Sequence, residues 1–368
     1  MAILTDGSSI RGTYEVERFL GEGAFAEVYR VKHKFLGRQA MKVFKRLGMK
    51  QTEIEEILGE AVLLSRIGHP NIVRVFDANV LDTPKGLCGY FTMENVPGGS
   101  LDSFWRSFGR KLIPIETSVD ILKQVCRGMS LAHAENPPII HRDIKPQNIL
   151  VGYEADGLRA RVSDFGLAKS VNPLTLLATA AGTLSFKPPE AFAKIKSDSC
   201  AADVWALGVT LYLMLTDRLP FQVDPALGWS NAKAFEKELQ APSNFNVDVD
   251  QMLETIVLKC LKFDPVDRYP NANELLTALK NWDKPTRTPV QGRRRGDSSE
   301  PSKSVLGMHS PANSEDGARL ARLALEKANV EGQLFEAADL MEEAFNKSPA
   351  LRDKYVNKVR LWRCGISM

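Results

Sequence analysis

The hydrophobic period of this chain changes near residue 96, and that change limits the fold more than any other feature. From about 13 to 95, "YEVERFL", "AEVYRVKH" and "RQAMKVFK" alternate in strand fashion, with glycine-bearing turns between them. One helical pattern interrupts them, "QTEIEEILGEAVLLSRIG", whose apolar residues recur at three and four. After the turn "VPGGS" the helical period dominates. "PIETSVDILKQVCRGMSLAHAE" is amphipathic, with Pro114 near its start and an acidic first turn, and further helices run through Trp282. A small β-rich part followed by a larger α-rich part predicts an α+β chain of two lobes, with ligands in a cleft between them.

The domain expectation is a folded unit over 13–282, a linker over 283–314 and a helical tail over 315–368. Four prolines, five serines and the run "RRR" fall between 285 and 311, where no apolar period survives, so that stretch reads as flexible. A net charge of +3 is too small to argue for nucleic acid or an acidic membrane. The five cysteines (Cys88, Cys126, Cys200, Cys260, Cys364) show no paired spacing and read as reduced, mostly buried thiols. "MAILTDGSSIRGTY" lacks the basic and apolar regions of a signal peptide. The longest apolar run, "AADVWALGVTLYLMLT" at 201–216, is too short to span a bilayer and contains Asp203, so it reads as a buried core helix. The expected setting is the cytoplasm, with no membrane and no nucleic-acid partner.

"LGEGAFAEVYRV" at 20–31 follows one strand and leads into another. Gly21 and Gly23 let the main chain approach a phosphate and leave amide donors to meet it; the plain alternative is a flexible hairpin. "AMKVF" then sets Lys42 in an apolar strand, where a buried ammonium needs an anion. Glu60 on the following helix can supply one carboxylate, and nucleotide phosphates the rest.

"IIHRDIKPQNILV" at 139–151 brackets His141, Arg142, Asp143, Lys145 and Asn148 with apolar pairs. Groups so costly to desolvate are not core, and a solvated loop would not carry those anchors. "RVSDFGLAK" at 161–169 adds Asp164, with Gly166 two residues beyond. Asp164 and Asn148 offer oxygen ligands of the kind Mg²⁺ prefers. A structural hydrogen-bond hub is the competing reading of either loop alone.

Together these segments resemble the eukaryotic-type (Hanks-type) serine/threonine protein kinases, bacterial representatives included. "GEGAFAEV", "AMKVF", "HRDIKPQN" and "DFG" match, in order, their glycine loop, lysine strand, catalytic loop and magnesium loop. "GTLSFKPPE" at 182–190, "DVWALG" at 203–208 and "DPVDRY" at 264–269 match later landmarks. The resemblance implies the bilobal kinase fold and transfer of the γ-phosphate of ATP to serine or threonine hydroxyls of proteins. It implies Asp143 as the residue that takes the acceptor proton and Lys145 as the group that steadies the γ-phosphate. ATP would be held by Leu20, Gly21, Glu22, Gly23, Ala24, Phe25, Ala26 and Val28, by Lys42 paired with Glu60, and by the hinge residues Met93, Glu94 and Val96. Asn148 and Asp164 would hold Mg²⁺, with Mn²⁺ as a substitute. Lysine two after the aspartate in "DIKPQN" is similar to the serine/threonine class. Three departures stand out: Ala26 replaces the third loop glycine, "KPPE" replaces the usual "APE", and Gln147 replaces a frequent glutamate. Glu190 survives and is expected to pair with Arg268.

Arg142 needs an anion beside it, and the activation segment from Asp164 to Glu190 offers Thr175, Thr179 and Thr183. The resemblance assigns Thr183 to bracing Asp143 and Lys145, and Thr179 to an autophosphorylated site, with Thr175 as its alternative; the competing reading is a loop ordered by its own apolar residues, "LTLLATAAG". In the tail, Gly332, Ala337, Ala344 and Pro349 resemble a tetratricopeptide repeat, with a plain helical hairpin as the equal alternative. One repeat cannot bury its own faces, so it should dock on the lobes, on a second copy or on a protein partner. The alternatives to an active protein kinase are a nucleotide-binding pseudokinase scaffold and a small-molecule kinase of similar fold. The intact acceptor aspartate disfavours the first, and "GTLSFKPPE" disfavours the second.

Overall fold

A computed structural model describes residues 2–23, 26–45, 52, 54–55, 58–59, 67–83, 86–108, 112–165, 184–192, 198–222, 232–235, 237–282 and 314–366. The chain divides into two compact units. One is built from the described residues of Met1–Val96 and Ser163–Asn172, the other from those of Pro97–Val162 and Pro173–Met368.

The first unit is a six-stranded antiparallel sheet. Its strands are β1 (Ser9–Ile10), β2 (Tyr14–Glu22), β3 (Ala26–His33), β4 (Gly37–Phe44), β5 (Val75–Thr83) and β6 (Gly86–Glu94), in the order β1-β2-β3-β4-β6-β5. The alternation read from the sequence sets its faces. Tyr14 and Val16 of β2 point into a core with Tyr29, Val31, Met41 and Tyr90, while Glu15 lies outside. Thr52, Ile54, Glu55, Leu58 and Gly59 are helical, and Ile54 and Leu58 are buried.

The second unit is mainly helical. Helix α1 (Leu101–Arg106) is capped by Ser100, whose hydroxyl accepts from the Ser103 amide. Helix α2 (Ile115–Ala134) begins after Pro114, as the amphipathic pattern predicts. The hairpin β7 (Ile149–Glu154) and β8 (Gly157–Val162) follows. Helix α3 (Cys200–Thr216) is buried from Ala201 to Thr216, which is why its sequence is apolar all round. Ser199 caps its start, and Asp217 ends it in the left-handed region at φ 59°. Helices α4 (Gln251–Cys260) and α5 (Ala272–Asn281) complete this part. Among the described residues no helix is long and apolar enough to cross a membrane.

The expected pairing of Glu190 with Arg268 is present and bidentate, at 2.8 and 2.7 Å. Arg268 also donates to the carbonyls of Lys262, Ala201 and Phe263, and its guanidinium lies over the Trp205 ring. The tail helices α6 (Ser314–Ala328), α7 (Leu334–Lys347) and α8 (Leu351–Arg363) belong to this same unit. Small residues such as Ala324, Ala337 and Ala344 let them pack closely, and their core incorporates Tyr153 of β7. Residues 283–313, where the linker is expected, lie outside the described residues.

Two predictions follow from this packing. Arg268→Ala should lower unfolding free energy by about 3–5 kcal/mol, because it strands a buried carboxylate and three carbonyls. Arg268→Lys should recover little of that loss, since one ammonium cannot replace the planar fork. Urea midpoints measure both, and a near-wild-type Lys variant would contradict the bidentate requirement. The second concerns Glu342, which burial pushes up to about 7 from 4.5 against the pull of Arg363. A carboxyl whose folded pKa is raised contributes fully below its unfolded pKa and loses that contribution as pH rises through the folded one. The stability advantage of wild type over Glu342→Gln should therefore shrink from about pH 4.5 to about pH 8. Thermal melts across that window that show a constant or growing advantage would contradict the assignment.

Candidate active site

Three isoleucines clamp the loop that carries most of the predicted chemistry: Ile140, Ile144 and Ile149 are all buried. Between them the main chain hangs on one buried carboxylate. Asp203, from inside α3, accepts the amides of His141 at 2.8 Å and Arg142 at 2.9 Å. Its Oδ2 also lies 3.0 Å from His133 Nε2. The Ala272 amide donates to His133 Nδ1, so the imidazole hydrogen sits on Nε2 and points at Asp203. His141 in turn accepts the Asp143 amide on Nδ1 at 3.2 Å. Arg142 sits in the left-handed region at φ 68°, an uncommon conformation for a side chain of its size. Lys187 Nζ braces it by donating to its carbonyl at 2.7 Å.

The Asp143 carboxylate meets Lys145 Nζ at 2.8 Å and Asn148 Nδ2 at 2.9 Å. Asn148 Nδ2 also donates to the Asp143 carbonyl at 2.7 Å. Burial pushes the Asp143 carboxyl up, but the nearby ammonium groups of Lys145 and Lys187 outweigh it and hold the group below the usual carboxylate range. Lys187 is itself lowered by burial, with Asp143 opposing. Gln147, one of the three departures, donates to buried Asp102 at 3.3 Å. A glutamate there would bring a second carboxylate against Asp102, so the amide suits this chain's own surroundings.

In the other unit Lys42 lies on β4, opposite Val28 of β3 and Phe91 of β6. Its Nζ is 2.6 Å from Asp164 Oδ1, and Asp164 also adopts the left-handed region, at φ 60°. Asp164 is thus the carboxylate observed on Lys42, while Glu60, the expected one, lies outside the described residues. Leu20, Gly21 and Glu22 end β2, and Gly23 donates to the Ala26 carbonyl at 2.8 Å. A Cβ added at Gly21 would meet nothing within 4 Å, so neighbouring packing does not require a glycine there. Ala26 is buried, which accounts for a small side chain at the third loop position. Met93 is buried at the end of β6, and the Glu94 amide is used by the Arg74 carbonyl at 2.9 Å.

Ala24, Phe25, Gly166, Thr175, Thr179 and Thr183 lie outside the described residues. The anion that meets Arg142 is a carboxylate: Asp198 Oδ2 is 3.0 Å from Arg142 Nε. Sequence reasoning gave no site role to Asp203, Lys187 or Asp198. A lone acid in a sixteen-residue apolar run was a usable signal for Asp203, because a buried charge needs donors. The lysine of "KPPE" is visible as a departure, but no local pattern gives its destination beside Arg142.

Asn148 and Asp164 fit a hard divalent cation by donor chemistry. Asn148 directs its amide nitrogen at Asp143 and carries an amide oxygen, and Asp164 brings a carboxylate, both donor types that a hard cation accepts. Among the described residues no group of three or more His, Cys, Asp or Glu forms a metal cage.

Residues 14–279 match the protein kinase domain family. A "probable serine/threonine-protein kinase" of Clostridium acetobutylicum is 32% identical over 282 residues, covering 75% of this chain and 40% of that protein. The serine/threonine-protein kinase PrkC of Bacillus subtilis is 32% identical over 278 residues, covering 74% of this chain and 41% of that protein. The chain therefore spans about two fifths of the length of these relatives. The solved kinase domain of Mycobacterium tuberculosis PknI superposes with a TM-score of 0.56 at 26% identity, covering 75% of this chain and 98% of that one. The sheet, the helical unit, the loop geometry and these likenesses agree, and the chain belongs to the protein kinase domain family.

Proposed function

We propose that this chain is an active serine/threonine protein kinase that uses ATP and Mg²⁺. The observation that carries the reading is the state of Asp143: an ionised carboxylate fixed in one orientation by Lys145 and Asn148. A scaffold that only binds nucleotide has no use for such a group. "DIKPQN" and the names of the relatives support serine and threonine as acceptors.

In this reading the acceptor hydroxyl approaches Asp143, which orients it and takes its proton. Lys145 follows the γ-phosphoryl group as charge shifts onto its oxygens. Lys42 grips the α and β phosphates, and the glycine loop offers its main-chain amides to them. Met93, Glu94 and Val96 line the adenine site, with main-chain contact at Val96. Asn148 and Asp164 hold the metal, which when bound neutralises phosphate charge. Most of the catalysis is positioning and electrostatics, so the rigid clamp on the loop is part of the chemistry. The proposed domain limits are 13–282 for the kinase part and 315–368 for the tail.

Incubating the chain with ATP, Mg²⁺ and a generic protein substrate tests this directly. Phosphoserine or phosphothreonine is expected; phosphotyrosine alone would sink the acceptor class, and no transfer would favour the scaffold. Asp143→Asn should lower kcat about 10²–10⁴-fold, the usual cost of losing general-base help, while nucleotide still binds. Lys42→Ala should instead reduce kcat/KM for ATP through lost phosphate contacts, and an unchanged value would show that the lysine is misplaced.

A further inference from the structure

Helix α7 presents Glu342 and Asn346, one turn apart and so on one face, to the residues that directly follow Val96 in the chain. Asn346 Nδ2 donates to the Pro97 carbonyl at 3.3 Å. A Cβ on Gly99 would stand 2.8 Å from that same nitrogen, and Gly99 has φ +75°. A Cβ on Gly98 would stand 2.7 Å from Glu342 Oε2 and 2.1 Å from the Val151 carbonyl oxygen. The two glycines therefore let a helix side chain and a strand close on the same three residues. From the strand side, the Val151 amide donates to the Gly99 carbonyl at 2.8 Å.

Glu342 is 1% exposed, a costly place for a carboxylate, and its partners tie the tail to the hairpin. It accepts the Tyr153 amide at 3.2 Å and takes Arg363 Nη2 at 2.8 Å. Arg352 reinforces the joint, reaching the Tyr153 hydroxyl at 3.2 Å with its guanidinium over the Phe104 ring. Apolar burial alone could dock these helices. Polar groups spent on the main chain at Pro97 and beside Gly98 do something more specific: they remove backbone freedom from a segment whose glycines would otherwise have the most.

We propose that the C-terminal helices brace the kinase in cis, with Glu342 and Asn346 as positioning residues that hold Pro97–Gly99 and so pre-set the adenine-binding main chain at Glu94–Val96. The inference rests on the kinase reading of those hinge residues. A segment ordered before the nucleotide arrives costs less to order on binding, so the brace acts on ATP affinity and leaves the chemical step alone.

The test uses the full chain carrying Asn346→Ala, Glu342→Ala or the conservative Glu342→Gln. Asn346 is half-buried, so its alanine variant removes one hydrogen bond from a folded protein. Asn346→Ala should raise KM and Kd for ATP about threefold to tenfold, the range of one hydrogen bond, with kcat and the KM for protein substrate within about twofold. Amide hydrogen exchange at Gly98 and Gly99 should quicken in parallel. Glu342→Ala should do the same more strongly, and Glu342→Gln, which keeps an acceptor for Tyr153, should recover most of the affinity. Unchanged ATP affinity and unchanged exchange in both alanine variants of an active enzyme would overturn the brace. Equal losses in kcat and in both KM values would overturn it too, by showing a general structural role. A wild type that neither binds ATP nor transfers phosphate overturns the kinase reading itself, and this inference with it.

Discussion

Asp203 is the group on which the catalytic loop depends. Its carboxylate is buried within an apolar helix and would be expensive there without donors. Two loop amides and one imidazole supply them, and that need is what draws the loop onto α3. Because the helix is buried all round, the carboxylate has little freedom to move, and the loop inherits that rigidity. The left-handed backbone of Arg142 is tolerable for this reason: its amide is held by Asp203 and its carbonyl by Lys187.

Charge around Asp143 is arranged on the same logic. Desolvation alone would favour the protonated acid, which could not accept a proton from a hydroxyl. Lys145 and Lys187 reverse the balance. Lys187 comes from the segment where this chain departs from the usual "APE", so the departure places a cation beside the candidate base instead of weakening the site. Gln147 makes a similar point, since its amide suits the buried carboxylate of Asp102. Both departures are intelligible from neighbours that are distant in sequence.

The tail changes the meaning of the domain boundary. The sequence, with its composition shift at 285–311, leaves open whether the tail docks on the lobes, on a second copy or on a partner; the helices beyond the shift share a core with Tyr153 and belong to the same compact unit as α1 to α5. The chain can break pattern without breaking contact, because close packing depends on complementary surfaces and not on the intervening residues.

What the sequence by itself determined was local and periodic. Alternation in "YEVERFL" and "RQAMKVFK" set which side chains of β2 and β4 face the core, since side-chain direction on a strand follows from residue parity. The helical period placed α2 nearly to the residue, and the ordered motifs singled out Asp143, Lys145, Asn148, Lys42 and Asp164. The Glu190–Arg268 pair was expected from the family likeness and not from any local period. The tertiary structure alone decided which distant groups meet: Asp203 under the loop, Lys187 beside Asp143, Asp198 on Arg142, Asp164 on Lys42, and Glu342 against Gly98. Those contacts join residues up to hundreds of positions apart, and no local period encodes them. They arise because a buried charge or amide must find its partner wherever packing brings one within hydrogen-bond reach.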